Sequence, residues 1–178
     1  MSSSVPDVRK RLFDAFQDDH AELGRRLYEL RQCISSEDCK QAKRLAAEIL
    51  QTAGAHIAFE EHDFYPALRS HLSAEEVERM YAEHEQGLAF LEALSKADPQ
   101  TERDMTADLA EIDALDHHVA DCGRLFGAMG GLAPQAMADL MTRLEAWRRV
   151  SPSWSDVRFV AHPCGPQVNG TPHKSGPS

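Results

Sequence analysis

The chain has 178 residues, 42% apolar and 27% charged. That fits one soluble domain with a core of its own and excludes a disordered segment. Its formal net charge of -10, from 19 basic against 29 acidic residues, comes with no cluster of Lys or Arg along one face, which argues against nucleic acid and against anionic membrane surfaces as partners.

No apolar run approaches the roughly 18 residues that a membrane span needs. The start, MSSSVPDVRKR, leads into a charged amphipathic segment with no signal-peptide core, so a cytoplasmic location is expected. Cys33, Cys39, Cys122 and Cys164 form no CxxC pair and no zinc-finger spacing. In a reducing compartment they are expected to be free thiols.

Pro6 to about Gln32 reads as a first helix, since Phe13, Phe16, His20, Leu23, Leu27 and Leu30 step by three and four along one face. His20 occupies a position where that seam wants Leu. Ser36, Glu37 and Asp38 suit the start of a second helix, which runs from about Asp38 to His71. Its apolar face carries Ala42, Leu45, Ile49, Thr52, His56, Phe59, Glu60 and Asp63. His56 and Glu60 are four residues apart, one above the other on that face. A carboxylate and an imidazole turned into a core are costly to leave bare, and a cation would satisfy both. Glu61 points away and is expected to be solvated. Pro66 is expected to kink or tighten the last turns.

Ser73-Ala-Glu-Glu is a capping-box signature for a third helix. Its seam is Val77, Met80, His84, Leu88, Leu91 and Leu94, again with a histidine among core positions. Ala97-Asp-Pro-Gln breaks the pattern, with Thr101 as the expected cap of a fourth helix. That helix runs through Met105, Ile112, Leu115, Val119, Cys122 and Phe126 to Met129, and Gly130-Gly131 ends it.

Pro134 suits the first turn of a shorter fifth helix with Met137, Leu140, Met141, Leu144 and Trp147 on one face. That stripe serves either as a pad on the bundle or as a homodimer surface. From Val150 onward there are five prolines and three glycines in 29 residues, read as an extended tail that lies on the bundle through Trp154 and Phe159. No strand signal is present. The expected architecture is all-α: an up-down-up-down four-helix bundle over 7–130, an accessory helix over 131–149 and an extended tail over 150–178.

In such a bundle the mid-helix histidines His20, His56 and His84 fall within a turn or two of one level. On the fourth helix an internal echo of the His56 motif pairs His117 with Asp121. Helical phase centres the apolar face near His118 instead, and Asp121 can serve either. Both histidines stand as candidates, with phase favouring His118. Histidines converging with a carboxylate suit Fe, Zn, Cu or Ni, and a bridging carboxylate suits a pair of ions. Asp63 and Tyr81 are candidates for orienting a ligand imidazole. Cys122 reads as a small core residue, with a ligand or redox role as the alternative. His62, His71, His162 and His173 fall off the seams and receive no role.

The ordered set of His20, His56-x3-Glu60-Glu61 with Phe64-Tyr65-Pro66, His84, and the Asp116-His117-His118 region resembles the hemerythrin-like (HHE, cation-binding) domains over roughly residues 7–130. Their pattern is a lone His on helices one and three, and His-x3-Glu-Glu followed by an aromatic-Pro on helices two and four. This chain departs from it with Met80 and Leu88 where the oxygen-carrier branch places a further third-helix His. It departs again with Asp121-Cys122 in place of Glu-Glu and Gly127 in place of Pro.

The resemblance implies a non-heme iron centre of two ions, or one, with Zn as a substitute, held by His20, His56, Glu60, His84, His117 or His118, and Asp121. It implies a protein that binds or responds to oxygen, nitric oxide or peroxide, or handles iron, without a required turnover activity. A di-iron oxidase or peroxidase is the enzymatic alternative. A zinc-bound or metal-free helical interaction module is the structural one.

Overall fold

The computed structural model describes residues 5–160 and Pro163, apart from the side chain at 126 and those at 5–7. The described residues are helical, with no strand. Helix α1 spans Val5–Ser35 and α2 spans Cys39–Phe59. A π-helical segment, Glu60–Phe64, continues α2 without a break into α3, Tyr65–Leu68. Then follow α4 over Ala74–Lys96, α5 over Met105–Met129 and α6 over Pro134–Val150. A single 3-10 turn, Trp154–Asp156, lies beyond them.

Helix starts follow from local chemistry. Asp38 accepts from the Gln41 N–H at the start of α2, while the Ser36 hydroxyl turns back to the Gln32 and Cys33 carbonyls of α1. Ser73 and Glu76 form the expected capping box of α4. The cap of α5 is Asp104, not Thr101. Its carboxylate accepts from the N–H groups of Thr106 and Ala107, two of the donors a helix start leaves orphaned. Pro134 sits in the first turn of α6.

Pro66 does not tighten its helix; the turns before it widen. Pro66 has no N–H, and its ring would crowd the carbonyl four residues back. The π segment absorbs this, with the Tyr65 N–H reaching the Glu60 carbonyl five residues behind. One extra residue per turn also changes where the following side chains point.

Helix α1 packs on α2 and α5, and α4 packs on α2 and α5, which closes a ring of four around the core. The core holds Leu12, Phe16, Leu27, Leu30, Ile49, Ile57, Phe59 and Leu91, all nearly inaccessible. Leu12, not Phe13, fills the first seam position of α1, and Ala53 replaces the exposed Thr52 on α2. Helix α6 lies across α1 and α2. Its Leu140, Leu144 and Trp147 are buried within the chain.

After α6, residues 152–157 cross α2 as a strap. Trp154 is buried, whereas Phe159, expected beside it, is 84% exposed. The backbone of the strap touches α2 so closely that a Cβ at Gly54 would stand 2.0 Å from the Pro152 carbonyl oxygen. Cys33, Cys39 and Cys122 are free. His162, His173, Cys164 and the expected tail past Val160, Pro163 excepted, lie outside the described residues.

Candidate metal centre

Glu60 stands at the middle of the bundle, where α2 passes into its π segment, and is 1% exposed. Its Oε1 lies 3.4 Å from His56 Nε2 and 3.9 Å from His20 Nε2. Its Oε2 lies 3.2 Å from His84 Nε2, and His84 Nε2 lies 3.0 Å from His118 Nε2. Two clusters result, His20–His56–Glu60 and Glu60–His84–His118, and the donor atoms within each lie within 4.8 Å of one another. They share Glu60.

Each imidazole presents Nε2 to the centre because its Nδ1–H is engaged elsewhere. His20 Nδ1–H donates to the Phe16 carbonyl at 2.8 Å. His56 donates to Asp19 Oδ2 at 3.3 Å, His84 to Glu61 Oε1 at 2.9 Å and His118 to Glu83 Oε2 at 2.7 Å. Such partners fix the tautomer and aim the ring. Among the described residues, the buried side-chain nitrogen and oxygen atoms without a hydrogen-bond partner are His56 Nε2 and both oxygens of Glu60. Buried polar atoms are almost always paired. Three orphans facing one another are what a cation site looks like before the cation is added.

The ionisation pattern agrees. Burial pushes His20 down to about 4, helped by the His56 charge. Burial pulls His56 the same way, but the Glu60 charge and the Asp19 hydrogen bond outweigh it and lift His56 to about 9. His84 is raised likewise against its burial, by Glu60 and Glu61. His118 is lowered by burial and by the neighbouring His84 charge. Burial would raise Glu60, yet His56 and His84 hold it well below the usual carboxylate range. Without a cation, then, a protonated His56 faces the shared carboxylate, and Glu60 and Glu61 bias His84 toward its charged form. A dication in each cluster would replace those protons.

The structure separates the two fourth-helix candidates. His118 is in the centre, whereas His117 is 71% exposed. Asp121 turns to the same outer side and pairs with Arg79, Arg124 and His117. The internal echo therefore fails by one residue, because the apolar face of α5 sets which histidine points inward.

Glu61 is not solvated by default: the π segment swings it to His84. Asp63 accepts from Arg143 and from the Trp147 indole N–H, which ties α6 to the π segment. Tyr81 donates to the Glu61 carbonyl at 2.7 Å. Sequence reasoning missed Asp19 and Glu83 as orienting groups. A signal was present, since each directly precedes a seam histidine on its own helix and serves the histidine of a neighbouring one.

A family model, the hemerythrin HHE cation-binding domain, matches residues 11–129. The chain belongs to this family. Searches of curated proteins and of solved structures return no match. The matched hemerythrin HHE region contains all five centre residues, while α6 and the strap lie beyond it.

Proposed function

We propose that this hemerythrin-like chain holds two non-heme metal ions, one on His20, His56 and Glu60 and the other on Glu60, His84 and His118, and that iron is the working metal. The observation that carries this is Glu60, a buried carboxylate with both oxygens unpaired and two imidazole nitrogens near each. Mixed imidazole and carboxylate donors suit iron, with zinc as a substitute. An up-down-up-down bundle is the arrangement that the ring of helix contacts and the short connections support.

Bound iron would supply redox chemistry toward small oxidants. The chain's own residues aim four imidazoles, keep bulk water out and limit access. A cleft of about 100 Å³ opens beside His56, lined by Asp19, Thr52, Ala53 and Arg148. It suits oxygen, nitric oxide or peroxide and is too small for an organic substrate. The role is binding of, or response to, such a molecule in the cytoplasm, or iron handling. No described helix is long and apolar enough to cross a membrane.

Metal quantitation with optical spectra on iron-grown protein tests the reading. Two ions per chain are expected, matching the two clusters. Occupancy falls in His56→Ala, His84→Ala and His118→Ala and is unchanged in His117→Ala. Equal occupancy in all four variants eliminates the site. Single-turnover reaction of the anaerobic ferrous protein fits binding or sensing, whereas sustained consumption of oxygen or peroxide identifies an oxidase or peroxidase.

A further inference from the structure

Helix α6 lies beyond the matched hemerythrin HHE region. Where it passes the π segment and α4, a cleft of about 620 Å³ remains between them. This cleft shares no lining residue with the small opening beside His56. Its apolar surface comes from Pro66 and Ala67 of α3 and from Ala136 and Leu140 of α6. Its polar surface carries Arg69, Tyr81 and Arg143 together with Glu61, Asp63 and Asp139. A volume of about 300–1,000 Å³ with apolar walls and a few polar groups is that of a small-molecule site.

The acids on that surface are mostly engaged. Asp63 is buried and accepts from Arg143 and from the Trp147 indole N–H. Glu61 is taken by His84 Nδ1 at 2.9 Å. Arg69, in contrast, is exposed and makes no ion pair among the described residues. Its guanidinium lies beside the Tyr81 hydroxyl, whose own proton goes to the Glu61 carbonyl at 2.7 Å. Arg143 is 33% exposed and meets Asp63 through Nη1. A guanidinium carries five N–H donors, so that contact leaves others for a ligand. Asp139 is exposed and accepts from Gln135 at 3.0 Å. Its negative charge weighs against a dianionic occupant.

We propose that this cleft binds a small organic monocarboxylate, its carboxylate held by Arg69 and Arg143 and its apolar body resting on Pro66, Ala67, Ala136 and Leu140. Guanidinium groups match carboxylates through paired N–H···O bonds. The net charge of -10 repels anions at long range, so recognition rests on contacts inside the cleft. None of the five donors of the metal centre lines it, and the proposal stands apart from the two-ion reading. Glu61 lines the cleft and also aims His84, so the occupant sits one side chain away from the centre.

Calorimetric titration of the full chain with benzoate, beside benzamide as its neutral counterpart, tests the proposal. Benzoate binds about tenfold or more tightly than benzamide, the worth of a charge-assisted hydrogen bond. Arg69→Gln removes that advantage and leaves benzamide binding as it was. Ala136→Phe fills the cleft and abolishes benzoate binding; Arg69→Gln, at an exposed position, carries the test if Ala136→Phe does not fold. No binding of benzoate, equal binding of benzamide, or benzoate binding unchanged in either folded variant overturns the proposal. So does displacement of benzoate by inorganic phosphate, or tighter binding of benzylammonium than of benzoate.

Discussion

Gly54 lies inside α2, where glycine costs about 1 kcal/mol relative to alanine, so Gly54→Ala would stabilise an isolated helix. In this fold the added Cβ would lie 2.0 Å from the Pro152 oxygen and 2.6 Å from both the Ser153 carbonyl carbon and the Trp154 nitrogen. Those are backbone atoms and cannot rotate away, so the strap must lift. Lifting it exposes Trp154 and Val157, now 3% and 1% accessible. Each side chain is worth about 1.5–3 kcal/mol of burial. Set against the propensity gain, the net loss is about 2–5 kcal/mol.

Urea unfolding of the metal-free protein reads the loss as a lowered midpoint. Tryptophan emission shifts to the red in Gly54→Ala, and adding Trp154→Phe abolishes the shift because Trp147 stays buried. The consequence reaches the centre, since the Trp154 ring meets His84 edge-on at 5.9 Å between centroids and closes that side from water. A variant as stable as wild type with unchanged emission refutes the strap as a required packing element.

The Arg148 guanidinium donates to Asp19 at 2.7 Å, and Asp19 orients His56. Asp19→Ala is expected to weaken metal binding about 10–100-fold. Arg148→Ala, a half-exposed residue acting one step further out, should weaken it by less, and chelator competition ranks the two. Asp63→Ala removes the acceptor of the Trp147 indole N–H and the carboxylate paired with Arg143, and should cost about 2–4 kcal/mol of stability by urea unfolding. His20 is depressed to about 4 in the folded, metal-free chain, so the unfolded chain binds a proton there that the folded chain refuses. Its contribution is intact above about pH 6.5 and declines as pH falls toward 4, by about 1.4 kcal/mol per pH unit. His20→Gln should flatten that limb of the stability–pH curve by this slope; an unchanged slope places the acid sensitivity elsewhere.

Much of the centre was legible because its residues break a pattern. His20, His56, Glu60 and His84 each occupy a position that helical periodicity reserves for apolar side chains, and the family resemblance ordered them. The fourth helix was harder. His117 and His118 differ by 100° around the axis, and a motif echo outvoted by one residue of phase is resolved only when the helix is packed.

The sequence by itself determined that the chain would be helical, roughly where each helix runs, and that His20, His56, His84 and Glu60 would be forced inward, because those follow from spacing along a single rod. Tertiary structure alone decided that Glu61, Asp19 and Glu83 aim the imidazoles, that His118 rather than the exposed His117 enters the centre while Asp121 pairs with Arg79 and Arg124 away from it, that Cys122 sits against His118, and that Trp154 rather than Phe159 is buried. These depend on how each helix is rotated against its neighbours. Around Pro66 they depend also on a π segment that changes the phase, and no periodicity within one helix carries that information.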